Sequence, residues 1–342
     1  MQAPSLLKLF DERRVLVVAG AGGVGKTTVA AALALALASE GRQVLLCEVE
    51  GRQGIAQLFD LPDLGYDERR VASGLPRQPG GPGGDVHGLS VDAESAMLEY
   101  LALYYRLGGR TSRALDRFGV IDFVTTVAPG LRDVLLTGKV FEAVERNSRN
   151  KGARVYDAIV LDAPPTGRIA QFLGVNGEFG DLAKVGMVKG QTARVMSLLR
   201  SPRTAVHLVT VLEDMPVQET ADGIAELRRV RLPVGGVVVN LVRPRDLDAD
   251  DLAAARAGTL DRAALHADLA EAGVADGDDA LVDGLLGEAR DHAERRALED
   301  SQRAVVADLG VPTYELPRLA GGVDLGGLYE LAADLKRQGL SS

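Results

Sequence analysis

Apolar residues in this chain gather in short uninterrupted runs separated by longer stretches of helical spacing. The runs cover Arg14–Gly20, Gln43–Glu50, Tyr156–Asp162, Ala205–Leu212, Val234–Asn240 and Pro312–Leu316. Rich in Val, Ile and Leu and alternating with helical patterns such as the apolar stretch Ala30–Ala38, they predict a mainly parallel sheet covered on both faces, a doubly wound α/β fold. In such sheets the chemistry lies beyond the carboxyl ends of the strands. Gly20, Glu50 and Asp162 stand at those ends.

The remaining segments fit around that core as a single domain over residues 1–342, with a helical subdomain inserted at about 93–150 and 178–200. The Pro- and Gly-rich stretch Leu75–Gly84 reads as a surface loop between strands. A third helical block at about 250–309 is loaded with Asp, Arg and Ala at spacings suited to solvent-facing i,i+4 pairs. No internal repeat is present, which argues against an internally duplicated enzyme.

The first strand runs directly into Gly20-Ala21-Gly22-Gly23-Val24-Gly25-Lys26-Thr27-Thr28, which fits the phosphate-cradling pattern G-x-x-x-x-G-K-[ST] between strand and helix. Glycines let successive N–H groups turn inward around a phosphate, and the positive end of the following helix faces the same anion. Lys26 is then expected to reach the β- and γ-phosphates and Thr27 to ligate Mg²⁺. Gly20, Gly22 and Gly25 also satisfy G-x-G-x-x-G, and Glu48 or Glu50 lies about where a dinucleotide fold keeps its ribose-binding acid. That rival has no use for Lys26-Thr27 and does not explain a second acidic strand end at Asp162, so the triphosphate reading is preferred.

Asp162 precedes Ala163-Pro164-Pro165-Thr166-Gly167-Arg168, which puts a carboxylate at a strand tip beside a turn. Opposite a phosphate loop, this is where a Mg²⁺-linked acid is needed. Gly167 is positioned to offer a backbone N–H to a γ-phosphate. Glu50, before Gly51-Arg52-Gln53-Gly54, is the expected handler of the attacking water. Alternation along the strand sends Glu48 to the same side, but Glu50 lies nearer the turn.

Composition narrows the class. A formal net charge of −9 argues against broad binding to nucleic acid or anionic lipid, both of which need a positive field. No apolar run approaches membrane-spanning length, and Met1–Arg14 has no signal-peptide core, so a cytoplasmic location is expected. Cys47, the sole cysteine, rules out an internal disulfide and a Cys-based metal or metalloid site within one chain.

Taken together, these segments resemble the P-loop ATPases that include the arsenical pump-driving ATPase and the factor targeting tail-anchored membrane proteins. The likeness runs through Gly20–Thr28, Leu45–Phe59 as switch I, Leu89–Asp92, Leu98–Leu101, Asp162–Leu173 as switch II and Val237–Asn240. Within it, Glu48–Ile55 and Ala128–Lys139 are similar to an actinobacterial branch that pairs with a paralogous ATPase. The resemblance implies a P-loop NTPase fold of the deviant Walker A type, ATP and Mg²⁺ as ligands, a phosphate site built from Gly22, Gly23, Val24, Gly25, Lys26, Thr27 and Thr28, Asn240 as adenine contact, and Glu219 as a nucleotide or dimer contact. Glu50 falls at the water-activating Asp of the family's Asp-Pro-Ala-His switch, Gln53 at its His, and Arg168 replaces the His of Pro-Thr-Gly-His.

What the resemblance implies for function is a Mg²⁺-dependent ATPase acting as a dimeric switch, as a homodimer or with a paralogous ATPase subunit, for a protein client. The family's signature Lys, which crosses to the partner's nucleotide, is Ala21 here. That departure favours, as an alternative, a catalytically weak nucleotide-sensing subunit of a heteromeric complex. A partitioning or positioning ATPase is a further alternative, opposed by the acidic charge and the lack of an amphipathic basic tail.

Overall fold

A computed structural model describes residues 15–49, 52–74, 83–105, 129–146, 153–173, 186–274 and 279–339. Eight strands form one sheet, β1 (Val15–Gly20), β2 (Val44–Val49), β3 (Arg69–Ser73), β4 (Asp85–Val91), β5 (Ala158–Asp162), β6 (Thr204–Thr210), β7 (Val234–Val242) and β8 (Thr313–Pro317), in the order β3-β4-β2-β5-β1-β6-β7-β8. Pairing is parallel throughout except between β3 and β4. Every residue of β1, β2, β5 and β6 is buried, as continuous apolar runs between two helical layers require.

One layer is dominated by α1 (Lys26–Ala38), whose residues from Val29 onward are all buried. A helix apolar on every side must be covered on every side. The sheet covers one flank through Leu16, Val18, Leu46 and Val160, and the carboxyl-terminal helix Leu325–Gly339 covers the other through Leu328, Leu331 and Leu335. Each such leucine contributes about 1.5–3 kcal/mol relative to exposure, so the phosphate-loop helix is anchored by the core.

The short α2 (Gly54–Leu58) lies on the same face as α1, where Ile55 and Ala56 join its core, and the opposite face is packed by helices from the middle of the chain. These are α3 (Ala93–Tyr105), α4 (Pro129–Glu145), α5 (Ile169–Phe172), α6 (Gly186–Leu199) and α7 (Asp214–Arg229). Leu136 and Val140 of α4, Phe172 of α5, Leu198 of α6 and Ile224 of α7 meet Val15, Val17, Leu45 and Leu161 of the strands. Helices α3, α4 and α6 fall in the stretches expected to be helical, of which 106–128, 147–150 and 178–185 lie outside the described residues, and the loop expected at Leu75–Gly84 lies between β3 and β4 with 75–82 outside them.

Past β7 the charged block folds as α8 (Ala249–Ala257), α9 (Arg262–Glu271) and the 29-residue α10 (Asp279–Ala307), followed by β8 and α11 (Leu325–Gly339). Asp248 and Asp261 cap α8 and α9 by accepting from first-turn N–H groups, each worth about 1 kcal/mol. Exposed i,i+4 pairs such as Arg290–Glu294 match the solvent-facing reading. The inner face of α10 does not, because Arg296 and Glu299 are buried and bonded to each other at 2.7 Å. No described helix is long and apolar enough to cross a membrane.

His87, within β4, is buried with its ring edge-on to Tyr156 at 5.7 Å between centroids, and its Nδ1 has no hydrogen-bond partner. Burial, reinforced by Arg154, depresses its pKa below the ordinary 6.5, against the opposing pull of Asp85. The unfolded chain then takes up a proton that the folded one refuses, so stability present above that pH is lost as pH falls through it. Urea unfolding at pH 7.5 and 5.5 is expected to show this loss in the wild type and a flatter dependence in His87→Phe; equal slopes would refute the assignment.

Candidate functional site

The phosphate loop is shaped by two close approaches. At Gly20 a Cβ would stand 2.3 Å from the carbonyl oxygen of Val209 on β6, so β1 can end beside β6 only without a side chain. Gly23 and Gly25 have φ of +79° and +85°, a region that costs an L-residue roughly 1–2 kcal/mol. The left-handed Gly25 is the residue from which α1 starts, and no side chain caps its first turn. Helix geometry leaves those N–H groups without intrahelical acceptors, which makes the turn a seat for an anion.

Lys26 is buried and donates from Nζ to the carbonyl oxygen of Ala21 at 2.7 Å. Thr27 Oγ1 donates to Asp162 Oδ2 at 2.6 Å, joining α1 to the tip of β5. Burial pushes the Lys26 pKa down, with Asp162 pulling the other way, and pushes the Asp162 carboxyl up, with the Thr27 hydrogen bond and Lys26 opposing. Burial thus disfavours the charged form of each group, as at sites that bind charged ligands. Asp162 Oδ1 is buried and has no partner.

Glu48 lies opposite Asp162 in the parallel β2–β5 register. Its Oε2 accepts from the N–H of Ile55 at 3.1 Å, which ties the start of α2 back to β2. Gln53, at a left-handed φ of 56°, closes the next turn with two hydrogen bonds to the backbone of Leu64, at 2.9 and 2.7 Å. Glu50 and Gly51 lie outside the described residues. Arg52, exposed just after them, acts electrostatically on both Lys26 and Asp162.

Across the loop, Asn240 at the end of β7 donates from Nδ2 to the carbonyl oxygen of Val24 at 2.9 Å. Asn240 and Leu241 border a cavity of about 600 Å³ walled by Glu213–Pro216, Arg243 and Arg318, and by Arg295, Leu298 and Glu299 of α10. Gly167 is exposed within the short 3₁₀ turn Thr166–Arg168 that follows β5. Arg168 of that turn lies 3.9 Å from Asp133 on α4. Glu219 is exposed on α7 and acts on the Lys26 ammonium. The fold thus brings Val24, Gly25, Lys26, Thr27, Asp162 and Asn240 together.

The residues fit a Mg²⁺–nucleoside triphosphate. The uncapped turn and positive-φ glycines form a phosphate cradle, a lysine stands at its floor, and the unpartnered carboxylate oxygen of Asp162 sits beside the Thr27 hydroxyl. Mg²⁺ takes such hard oxygen donors from one or two carboxylates plus phosphate. Sequence reasoning missed the α10 wall of the cavity and the Glu48–Ile55 tether. Neither has a local signal, since each depends on which strand tips the fold makes neighbours.

Compared with known proteins, residues 13–201 match the model of the Anion-transporting ATPase family. The chain belongs to that family. It is an ATPase, in keeping with its relatives. It is similar to ATPase BagA of Mycobacterium tuberculosis, 51% identical over 96% of this chain and 94% of that protein. Similarity extends to the arsenical pump-driving ATPase of Escherichia coli, 28% identical over 69% of this chain and 37% of that protein. It reaches ATPase GET3 of Lachancea thermotolerans, 24% identical over 72% and 78%.

Gly25 supplies a direct test of the loop in this family member. A Cβ there would meet Asn240 Nδ2 at 2.4 Å in addition to adopting a positive φ. Gly25→Ala is expected to cost at least about 1–2 kcal/mol in urea unfolding and to abolish nucleotide binding. Adding Asn240→Ala removes the collision but leaves the backbone strain, so only part of the stability returns. Full recovery in the double variant would show that φ at residue 25 is unimportant.

Proposed function

We propose that this ATPase is a Mg²⁺-dependent, nucleotide-gated switch that closes as a dimer on ATP, opens after hydrolysis, and couples that cycle to a protein client or partner. The observation that carries the reading is the 2.6 Å bond from Thr27 to Asp162, which leaves a buried carboxylate oxygen unpartnered at the mouth of the phosphate loop. Lys26 exchanges the Ala21 carbonyl for β- and γ-phosphate oxygens, with the N–H groups of Gly22, Gly23, Val24, Gly25, Thr27 and Thr28 around them. Thr27 and Asp162 hold Mg²⁺, the latter directly or through water. When bound, Mg²⁺ neutralises charge on the β- and γ-phosphate oxygens.

The remaining steps fall to the chain's own groups. Gly167 offers its N–H toward the γ-phosphate, and Glu50 orients the attacking water. Because Asn240 Nδ2 is engaged with Val24, its carbonyl oxygen is left to accept from the 6-amino group of adenine, where guanine presents a carbonyl acceptor instead. Glu219 contributes negative field beside Lys26 or meets a second subunit.

Contacts between the switch segments and the helical layer support coupling to a client. Tyr66, beyond the Gln53–Leu64 clamp, donates from its hydroxyl to Glu99 of α3 at 2.7 Å, and Lys139 of α4 meets the same carboxylate at 2.7 Å while lying 4.9 Å from the Tyr66 ring centre. Ala21 favours a paralogous ATPase as the second subunit. Buried at 4% exposure, it has no ammonium to send across a dimer interface, so a homodimer would lack that contact at both sites. Among the described residues no helix is long and apolar enough to cross a membrane, and we propose the cytoplasm as the setting.

Lys26→Ala and Asp162→Ala are each expected to lower ATP turnover by at least about 100-fold, the first by removing a cation that stabilises developing phosphate charge and the second by removing the acid that would hold the metal ion there. Unchanged turnover in both variants would remove the phosphate-loop assignment. Glu50→Gln keeps the shape of the side chain but not its basicity, so turnover should fall by about 10²–10⁴ while ATP affinity persists and light scattering reports a closed dimer. Normal hydrolysis by Glu50→Gln would move the water-handling role to another acid.

A further inference from the structure

Glu48 carries more than the tether to α2 accounts for. It is 1% exposed and Asp162 4% exposed. The two occupy paired positions on adjacent parallel strands, and both point toward the face covered by α1, as Val44, Leu46, Ala158 and Val160 do. Each carboxylate has one oxygen satisfied, Asp162 by the Thr27 hydroxyl and Glu48 by the Ile55 N–H. Each has its other oxygen buried without a partner. Gly54, adjacent to Ile55, stands against Thr27, where a Cβ would come within 3.1 Å of the threonine methyl. Thr27, Asp162, Glu48 and the start of α2 therefore gather at the tips of β2 and β5, where two carboxylate oxygens are buried without partners.

Leaving a buried carboxylate oxygen without a donor is expensive, and doing so twice on neighbouring strand tips is explained by a cation that both serve. We propose that Glu48 is the second carboxylate of the divalent-cation site, a positioning residue that holds the ion through its water shell while Thr27 and Asp162 stand nearer to it. The proposal rests on the nucleotide-site reading above and adds to it an acid beyond the strand-end Asp. Mg²⁺ dehydrates reluctantly and keeps several waters, so an outer carboxylate has hydrogen atoms to accept from. The all-oxygen donor set selects Mg²⁺ or Mn²⁺ over softer ions.

The test uses the full chain with a non-hydrolysable ATP analogue and Mn²⁺ as an electron-paramagnetic probe, free Mn²⁺ being titrated directly. Glu48→Gln keeps an oxygen for the Ile55 N–H and removes only the charge. It is expected to weaken Mn²⁺ by 10–100-fold, as loss of an outer-shell partner does, with the unfolding midpoint in EDTA not lowered and the metal-free affinity for the analogue retained. Glu48→Asp keeps the charge with a shorter reach, so it should lose less Mn²⁺ affinity than Glu48→Gln while loosening the tether and lowering the midpoint. If Glu48→Gln binds Mn²⁺ within twofold of wild type while Asp162→Asn does not, Glu48 is a tether alone and the proposal is overturned. If Asp162→Asn and Thr27→Val also bind Mn²⁺ normally, the nucleotide-site reading itself falls, and this proposal with it.

Discussion

The hydrogen bond between Thr27 and Asp162 is the contact on which the architecture converges, because it joins the first turn of a helix buried from Val29 onward to the tip of a fully buried strand. Everything upstream of it positions one of its two ends. The apolar flanks of α1 hold Thr27 against the sheet, and the β1–β5 and β2–β5 registers set the height of Asp162. The polar groups of the site are thereby concentrated at one edge of an otherwise dry core, where burial strengthens every electrostatic interaction. That burial also disfavours both the Lys26 ammonium and the Asp162 carboxylate. An anion beside Lys26 and a cation beside Asp162 would each relieve that cost.

Much of the fold could be read from the residues because parallel strands buried on both faces leave an uninterrupted apolar run, and these runs match β1, β2, β5, β6, β7 and β8. The edge strand β3 escaped, since Arg69-Arg70-Val71-Ala72-Ser73 is largely exposed and pairs antiparallel with only one neighbour. The helix α2, at five residues, is too short to show a period. In the charged block, composition reported the solvent side of α10 faithfully. It was silent on the side that walls the cavity, because Arg295, Leu298 and Glu299 acquire that role only when α10 crosses the end of β7.

At the site, the local motif placed Lys26 and Thr27, and the strand-end rule placed Asp162. Asn240 came only from the family resemblance, and its contact with Val24 spans 216 positions, beyond the reach of any spacing argument. Glu48 was read as a rival to Glu50 because strand alternation gives side but not depth. Its burial and its bond to Ile55 emerge only from the return of the chain through Gln53 to Leu64.

The Asn240 amide has a thermodynamic consequence that neither neighbour shows alone. One side chain braces the carbonyl of Val24 inside the phosphate loop and borders the cavity at the end of β7. Groups sharing a partner in this way do not contribute independently. The free energies with which a nucleoside and a polyphosphate each bind therefore should not sum to that of the intact nucleotide, the difference being the work of arranging one amide for two tasks.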